Sequence, residues 1–427
     1  MSLKMIDLGD LRNNPEAYQR ACDVKGIKFD VQAFLELDQR YRKSKAEVEQ
    51  LRARQNAVND EIKTLSGDEK QARITEMKEL APKIKELTES VRELEQEWKA
   101  GQLRIPSIPL EHVPVGKDDT ENVEVSRWGE IPSFDFELRD HVALGELLGI
   151  IDSKRGVKIA GTRNYFLVGD GARLQHAVLG LARDLLHQKG YLLMDCPHLV
   201  NYEAMMGTGY YPGGEEQAYC LDQRDDKHLI GTSEVAVCAY HLDEILDPAE
   251  LPKRYAGYSA CYRREAGTYG KDAHGLYRIH QFYKVEQVII AQADKAKSDE
   301  YHRELLGNAE ELMQALGLPY RVVDVCTGDL GQGQVYKNDI EAWMPSRESY
   351  GETHSCSSFY DFQARRLRMR YKDSDGKNRY CYTLNNTLIA SPRILIPLLE
   401  LNQNRDGTVN VPQALRPYMN GQELICP

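Results

Sequence analysis

The chain has 427 residues and a formal net charge of −11, a length sufficient for two or three domains. A nucleic-acid binder this acidic must concentrate its cations locally, because contacts to phosphate dominate such affinity. Nine scattered cysteines without a CxxC pair argue against a disulfide framework and predict no zinc site. No apolar run approaches about 20 residues and the first residues are too polar for a signal peptide, so we expect a cytoplasmic protein without a membrane segment.

A first domain, residues 1–110, is predicted to contain a long helical hairpin at about 30–100. Apolar residues step by three and four over 34–65 and again over 77–98, which is a heptad seam. The break at 66–68 predicts an antiparallel coiled coil about 50 Å long, and Pro82 should kink the second helix or start it afresh. A dimerisation coiled coil has this pattern, and so does a rigid arm whose lysines and arginines reach a long polyanion.

A proline-rich linker at 105–114 precedes the second domain, residues 111–427. Helices are predicted at 140–151, 172–189, 299–316 and 392–401, and strands at 165–168, 191–194, 320–325, 338–343, 367–371 and 380–384. Residues 229–234 are predicted to be a strand that runs into a turn. Strands that come in runs favour an α+β fold, an antiparallel sheet with flanking helices, over a doubly wound parallel sheet. Neither a GxxxxGK[ST] loop nor a strand–GxGxxG–helix unit is present, so ATP would need another scaffold.

The most informative stretch is a predicted hairpin over 261–290, with a glycine-rich loop at 266–275. Because strand side chains repeat every two residues, one face of the hairpin is expected to collect charged and aromatic groups. These are Arg263, Glu265, Arg278, His280, Phe282, Lys284 and Glu286. Arginine forks suit phosphate, a ring suits a stacked base, and carboxylates suit an ammonium or a metal-bound phosphate. The alternative is a solvated hairpin with charge pairs across its strands.

This hairpin resembles motif 2 of the class II aminoacyl-tRNA synthetases, in the version found in the seryl-tRNA synthetase family. The resemblance extends over nearly the whole chain, at residues 191–201 (motif 1), 231–235 (the TSE loop), 326–330, 355–366, 383–387 with Arg393 (motif 3), and 411–419. It implies the class II antiparallel sheet preceded by a coiled-coil arm. It also implies ATP-dependent activation of L-serine to seryl-adenylate, followed by transfer to the 3′ end of tRNA.

The resemblance further implies a role for individual residues. Arg263 and Arg393 are expected to be catalytic, at the α-phosphate and the terminal phosphates. ATP is expected to bind Arg263, Glu265, Arg278, Phe282, Glu352, Ser355 and Arg393, with Phe282 stacked on adenine and Glu352 and Ser355 as ligands of Mg²⁺. Serine is expected to contact Thr232, Glu234, Arg263, Glu286, Asn385 and Thr387. His274 stands where the family usually has arginine, which weakens one phosphate contact or makes it pH-dependent.

The family also implies partners. These are a homodimer, tRNA(Ser) and, where that pathway exists, tRNA(Sec), with the arm of one subunit crossing to the tRNA bound at the other. One alternative is a paralog that activates serine for a carrier protein or an antibiotic pathway; such relatives often lose the arm, and the intact heptads count against it. A non-catalytic binding homologue is a second alternative, but it predicts lost site residues, and Arg263, Glu286 and Arg393 are present.

Overall fold

A computed structural model of the chain describes residues 5–222, 224–267 and 275–427. His274 and its expected phosphate contact therefore lie outside the described residues. Contacts divide the chain into two compact units, one ending at Pro106 and one beginning at Ser107. Within the described ranges, no helix combines the length and the hydropathy that a bilayer span requires.

The first unit is helical. It contains α1 (Leu8–Asn13), α2 (Pro15–Val24), α3 (Val31–Thr64) and α4 (Gly67–Gln102). The long helices α3 and α4, of 34 and 36 residues, are joined by a two-residue turn and pack antiparallel as the heptads predict. At about 1.5 Å per residue each is about 50 Å long. Of the two effects expected of Pro82, a kink or a new helix start, the new start does not occur, since α4 continues through Pro82.

The base of the long hairpin is held by a buried carboxylate. Asp38 accepts hydrogen bonds from Nε and Nη2 of Arg12, both at 2.9 Å, from Nε of Arg42 at 3.0 Å and from the indole of Trp98 at 3.0 Å. The ring of Trp98 also packs 4.7 Å from that of Tyr41. Burial opposes the charge of Asp38, but these donors and the two guanidinium charges hold its pKa below the ordinary value.

The second unit is built of strands and shorter helices. Its described helices are α5 (His141–Leu147), α6 (Ser153–Ala160), α7 (Asp170–Gln188), α8 (Tyr202–Gly207), α9 (Ser233–Ala239), α10 (Lys295–Ala315), α11 (Phe362–Leu367) and α12 (Leu395–Leu401), with short 3₁₀ helices at Asp119–Glu121, Pro248–Glu250, Thr327–Asp329, Pro345–Arg347 and Gln413–Met419. Its described strands are β1 (Val123–Trp128), β2 (Ile151–Asp152), β3 (Phe166–Leu167), β4 (Leu192–Asp195), β5 (Leu199–Val200), β6 (Tyr219–Cys220), β7 (His228–Leu229), β8 (Ile245–Leu246), β9 (Lys253–Tyr262), β10 (Gln281–Ala291), β11 (Tyr320–Asp324), β12 (Tyr336–Met344), β13 (Ser349–Tyr360), β14 (Arg370–Lys372), β15 (Asn378–Tyr380), β16 (Tyr382–Ser391), β17 (Val409–Asn410) and β18 (Leu424–Ile425).

Eight of these strands form one sheet in the order β1-β11-β12-β13-β16-β10-β9-β4. All neighbours pair antiparallel except β4 and β9, which are parallel. The prediction of an α+β fold with an antiparallel sheet is confirmed. Helices α7, α10 and α12 contribute to the main apolar core on one face of this sheet, with Leu312 and Ile396 from the helices meeting Ile340 and Leu384 from the strands. The other face is also partly apolar, because Val288 and Ile290 of β10 pack in a second apolar cluster with residues of α9 and α11.

Several predicted boundaries need correction. The predicted helix over 392–401 begins only at Leu395, and the predicted strand at 367–371 is the end of α11 followed by β14. The largest omission is β13, which lies between β12 and β16. Its run of serines and a cysteine at 355–358 has low strand propensity, so burial within the sheet determines its conformation.

Candidate active site

The central hairpin differs from its predicted form at its open end. Strand β9 stops at Tyr262 and β10 starts at Gln281, so Arg263 and Glu265 follow one strand and Arg278 precedes the other. Glu265 has φ of 50°, a left-handed conformation that breaks strand alternation. The prediction that all the charged groups share one strand face is therefore wrong for Glu265, Arg278 and His280. It holds within β10 for Phe282, Lys284 and Glu286, which are spaced by two.

Two β-bulges bring residues from the neighbouring strands onto this same face. In β13 the register shifts at Thr353, where Ile340 pairs with His354 but Glu341 pairs with Glu352. The shift places Glu352 and Ser355, which are three residues apart, on one face of the sheet. A second shift, between β10 and β16, does the same for Thr387 and Ala390. An unbroken strand would send one member of each pair to the opposite face.

A cavity lies at the end of the hairpin and holds about 510 Å³ of empty space, with open solvent included. Six of the residues expected at the site line it: Arg263, Glu265, Phe282, Glu352, Thr387 and Arg393. Lys284, Tyr277 and several apolar side chains complete the wall. Cationic, acidic and aromatic groups thus converge on one concave surface, as a binding site for a charged organic ligand requires.

Arg263 stands at the centre of this wall. Its Nε donates to the carbonyl of Gly231 at 3.4 Å, and its guanidinium carbon lies 5.3 Å from the ring centre of Phe282. Burial lowers the pKa of Arg263, but Tyr210, Cys261, Glu352 and Glu265 outweigh burial and raise it, so the charge is permanent. A Cβ on Gly231 would overlap the hydroxyl of Tyr210, so any larger residue at this position would displace that ring.

A second cation approaches from the end of β16. Arg393 donates through Nε to the carbonyl of Tyr277 at 3.2 Å and through Nη1 to the carbonyl of Glu352 at 2.9 Å. Its guanidinium carbon lies 4.3 Å from the Tyr277 ring centre. Arg278 contacts the Glu265 carboxylate at 3.4 Å. Arg393 and Arg278 are thus oriented by protein contacts before any ligand binds, which reduces the conformational entropy lost on binding.

Glu352 and Ser355 fit the oxygen chemistry of magnesium. Desolvation opposes the charge of Glu352, but Arg393, Lys337, Arg263 and Arg278 hold its pKa below the ordinary value. One carboxylate and one hydroxyl on the same face suit an ion that keeps most of its waters. The buried Oδ1 of Asp339, which pairs in register with Ser355, has no hydrogen-bond partner among the described residues. No group of three or more His, Cys, Asp or Glu side chains within those residues could hold a metal by itself.

Several of the residues expected to contact serine form a buried ionic cluster. Lys284 forms an ion pair with Glu286 and lies 3.3 Å from the hydroxyl of Thr387, which itself donates to Glu286 at 3.2 Å. The amide nitrogen of Asn385, two residues before Thr387 on β16, has no hydrogen-bond partner in the described part of the chain. A buried donor without a partner is costly, so this nitrogen is available to a ligand.

Glu234 lies at the start of α9, whose N-cap is Thr232. The Thr232 hydroxyl accepts from the backbone nitrogen of Glu234 at 3.2 Å. Burial and the charge of Glu286 raise the pKa of Glu234 to about 7, while a hydrogen bond from Gln363 and the charges of Lys284 and Arg263 oppose this change. A carboxylate that titrates near neutral pH beside two cations is characteristic of a functional site.

The other six expected residues are not part of the cavity wall: Thr232, Glu234, Arg278, Glu286, Ser355 and Asn385. Four contributors were not assigned a role: Tyr277, Lys284, Asp339 and Gln363. The alternation of β10 already placed Lys284 beside Phe282 and Glu286. The other three had no such signal, because their positions depend on the bulges and on contacts distant in sequence.

Two family models match the chain. The tRNA synthetase class II core domain (G, H, P, S and T) matches residues 219–402, and the seryl-tRNA synthetase N-terminal domain matches residues 5–109. Among curated proteins, the chain is 45% identical to the serine–tRNA ligase of Deinococcus radiodurans, over 99% of each chain.

Solved structures agree with these matches. The chain is similar to seryl-tRNA synthetase from Pyrococcus horikoshii complexed with ATP, with a TM-score of 0.91, 36% identity and 99% coverage of each chain. It is also similar to cytoplasmic serine–tRNA ligase from Naegleria fowleri in complex with AMP, with a TM-score of 0.84 and 33% identity, over 97% of this chain and 96% of that one.

Proposed function

The chain belongs to the seryl-tRNA synthetase family, and from this premise we infer that it is an ATP-dependent ligase that joins L-serine to tRNA. The observation that carries this inference is the cavity at the end of the central hairpin. There two oriented arginines, an aromatic ring and several carboxylates meet within a fold shared along almost the whole chain with an ATP-bound relative.

In the first step the serine carboxylate attacks the α-phosphorus of ATP, a P–O bond forms, and diphosphate leaves with the electrons of the broken bond. Arg263 contacts the α-phosphate in this proposal and neutralises the charge that grows on its oxygens, which its place in the cavity wall supports. Arg393 and Arg278 hold the terminal phosphates, Phe282 stacks on the adenine, and Glu265 faces the adenine amino group or the α-phosphate. Because the carboxylate is already a nucleophile, no side chain needs to act as a base, and positioning carries the rate.

Serine occupies the polar end of the site. Glu234 receives its ammonium group, Arg263 its carboxylate, and Glu286 its hydroxyl, with Thr232, Asn385 and Thr387 around them. The ion pair with Lys284 supports this assignment for Glu286, because it keeps an acceptor in place for the hydroxyl. Alanine has no hydroxyl to donate to Glu286, so it would lose this hydrogen bond, and the site should discriminate against alanine.

The second step transfers the seryl group to tRNA. The terminal adenosine hydroxyl of tRNA(Ser) attacks the acyl carbon of seryl-adenylate and AMP leaves. We assign tRNA binding to the arm formed by α3 and α4, which lies in the part of the chain that matches the seryl-tRNA synthetase N-terminal domain. Its exposed lysines and arginines suit recognition of RNA shape and backbone. Charging of tRNA(Sec) by the same route is an extension of this proposal.

We assign Mg²⁺ to Glu352 and Ser355. These residues would hold the ion, which would supply positive charge to neutralise the phosphates of ATP. The bulge at Thr353 supports this assignment, because it turns both oxygen ligands to the cavity side of the sheet. The low pKa of Glu352 keeps its carboxylate ionised at neutral pH.

We also propose that the protein works as a homodimer in the cytoplasm. Motif 1 forms the dimer contact in this family, and here it contains β4, the edge strand of the large sheet. Leu192 and Leu193 on that strand are 61% and 42% exposed. An exposed apolar edge strand is a surface that natural proteins usually cover.

The test of the proposed function is ATP–diphosphate exchange with each of the standard amino acids, followed by charging of serine tRNA. We expect exchange with serine well above that with any other amino acid. Preference for threonine or alanine would contradict the substrate assignment. The intact arm, which matches the family model over residues 5–109, does not favour a paralog that serves a carrier protein.

A further inference from the structure

A fully buried glutamine lies beneath the amino-acid end of the site. Gln363, in the first turn of α11, is 0% exposed. Its Nε2 donates to Oε1 of Glu234 at 2.7 Å and to the carbonyl of Thr208 at 3.0 Å. Its Oε1 accepts from the hydroxyl of Thr383 at 2.6 Å and from the thiol of Cys238 at 3.6 Å. Both ends of the amide are therefore engaged.

The chemistry of these partners permits one orientation of the amide. The Thr208 carbonyl and an ionised Glu234 only accept hydrogen bonds, whereas the thiol and the hydroxyl on the other side can donate. Turning the amide over would place its oxygen against two acceptors in a buried site, at the cost of two unpaired groups. Gln363 therefore presents a fixed donor to Glu234.

We propose that Gln363 is a positioning residue for serine, which holds one carboxylate oxygen of Glu234 so that the carboxylate faces the substrate's ammonium group. This inference rests on the function proposed above, in which Glu234 receives that group. Gln363 contacts Glu234 and need not touch serine. Its loss would leave Glu234 free to adopt other rotamers and would remove a hydrogen bond made to its ionised form.

The charges around Glu234 give this role a measurable consequence. Glu286 on β10 and burial both raise the pKa of Glu234, which reaches about 7, and Lys284, Arg263 and Gln363 oppose the rise. Removing the Gln363 donor removes one of these opposing interactions, so the pKa of Glu234 rises further. Less of the enzyme then has the ionised carboxylate at neutral pH, and serine binding weakens first on the acid side.

Gln363→Met, which keeps the side-chain length and removes both polar atoms, is the first test variant. Serine-dependent ATP–diphosphate exchange is measured from about pH 6 to about pH 9. We expect the KM for serine to rise about tenfold or more. Saturating kcat and the KM for ATP should stay within about twofold, since the lost contact serves serine binding alone. The acid limb of kcat/KM for serine should move to higher pH.

Gln287→Met is the matched control. Gln287 is also 0% exposed, donates to the carbonyl of Leu305 at 3.1 Å and accepts from Asn308 at 2.8 Å, on the face of the sheet that packs against α10. The Gln287→Met variant loses an equally buried amide, so its melting temperature should fall as that of Gln363→Met does. Its KM for serine and its pH profile should stay those of the wild type. If the two variants share one serine KM and one profile, the positioning role is overturned.

Gln363→Glu provides a second, isosteric variant should the methionine variant unfold. It places another carboxylate beside Glu234, so the acid limb should shift further in the same direction. A folded Gln363→Glu with the wild-type profile would also overturn the role. If the wild-type protein itself shows no serine-dependent exchange, the proposed function fails; if the wild type exchanges serine and the variants match it, only the role of Gln363 fails.

Discussion

The arm and the large sheet place their charged residues in opposite environments. In the arm, most charges lie on solvent-exposed faces of α3 and α4, and a narrow seam such as Val48, Val58 and Ile84 is buried. In the sheet unit, Lys284 and Glu286 are buried and paired with each other. The arm can therefore change its surface charges with little effect on its own fold. In the site, by contrast, removing either Lys284 or Glu286 would leave the other charge buried without its partner.

Shortening the arm should produce the largest loss of activity and should distinguish the function of the arm from that of the sheet unit. Residues 49–90 would be removed and the helices rejoined by a short turn, which retains the contacts of Asp38 at the base. Charging of serine tRNA should fall on the order of 10³-fold, because phosphate contacts to RNA are lost. Serine-dependent ATP–diphosphate exchange should remain unchanged. Full charging by the shortened protein would contradict the assignment of tRNA binding to the arm.

Arg263→Lys should break the site while leaving the arm intact. Lysine keeps the positive charge but lacks the fork that contacts phosphate at two points. We expect exchange to fall about 10²- to 10³-fold, with binding of tRNA, measured by filter retention, unchanged. Arg264→Lys is the control, since Arg264 is the exposed neighbour in sequence. Equal activity in both variants would contradict the role of Arg263 at the α-phosphate.

Asp38→Asn tests the buried charge cluster at the base of the arm. Asparagine leaves the guanidinium groups of Arg12 and Arg42 without their carboxylate, and we expect the unit to lose about 3 kcal/mol of stability. Because the pKa of Asp38 is lower in the folded than in the unfolded chain, its stabilisation is full above about pH 4 and is lost as the pH falls through the folded value. The free energy of unfolding in urea should therefore differ between the wild type and Asp38→Asn at pH 7, and the difference should be smaller in acid.

The smallest effect is expected on the arm's surface. Asp60 pairs with Lys63, and both side chains are largely exposed. Exposed pairs gain little because water and salt screen them. Asp60→Asn should leave the melting temperature unchanged in the same experiment in which Asp38→Asn lowers it. An equal fall in melting temperature in both variants would contradict the expectation that the buried carboxylate stabilises the fold more than the exposed one.

The same contrast explains how much the sequence could predict. The heptads predicted α3 and α4 closely, because a coiled coil repeats a local period. The site depends on β-bulges at Thr353 and Leu388, which move Glu352 and Ala390 to the other face of the sheet. No local sequence pattern marks these bulges. The family motifs located Glu352 and Arg393 by resemblance. Gln363 lay within a recognised motif, yet its contact with Glu234 joins residues 129 apart in sequence.

The most direct test of the account is a crystal structure of the protein with a non-hydrolysable seryl-adenylate analogue. We expect the group that replaces the phosphate to lie beside Arg263 and the adenine to stack on Phe282. We expect the seryl ammonium at Glu234 and the seryl hydroxyl at Glu286. An analogue bound elsewhere, or bound with Arg263 and Glu286 pointing into solvent, would contradict the central claim that this hairpin holds ATP and serine together.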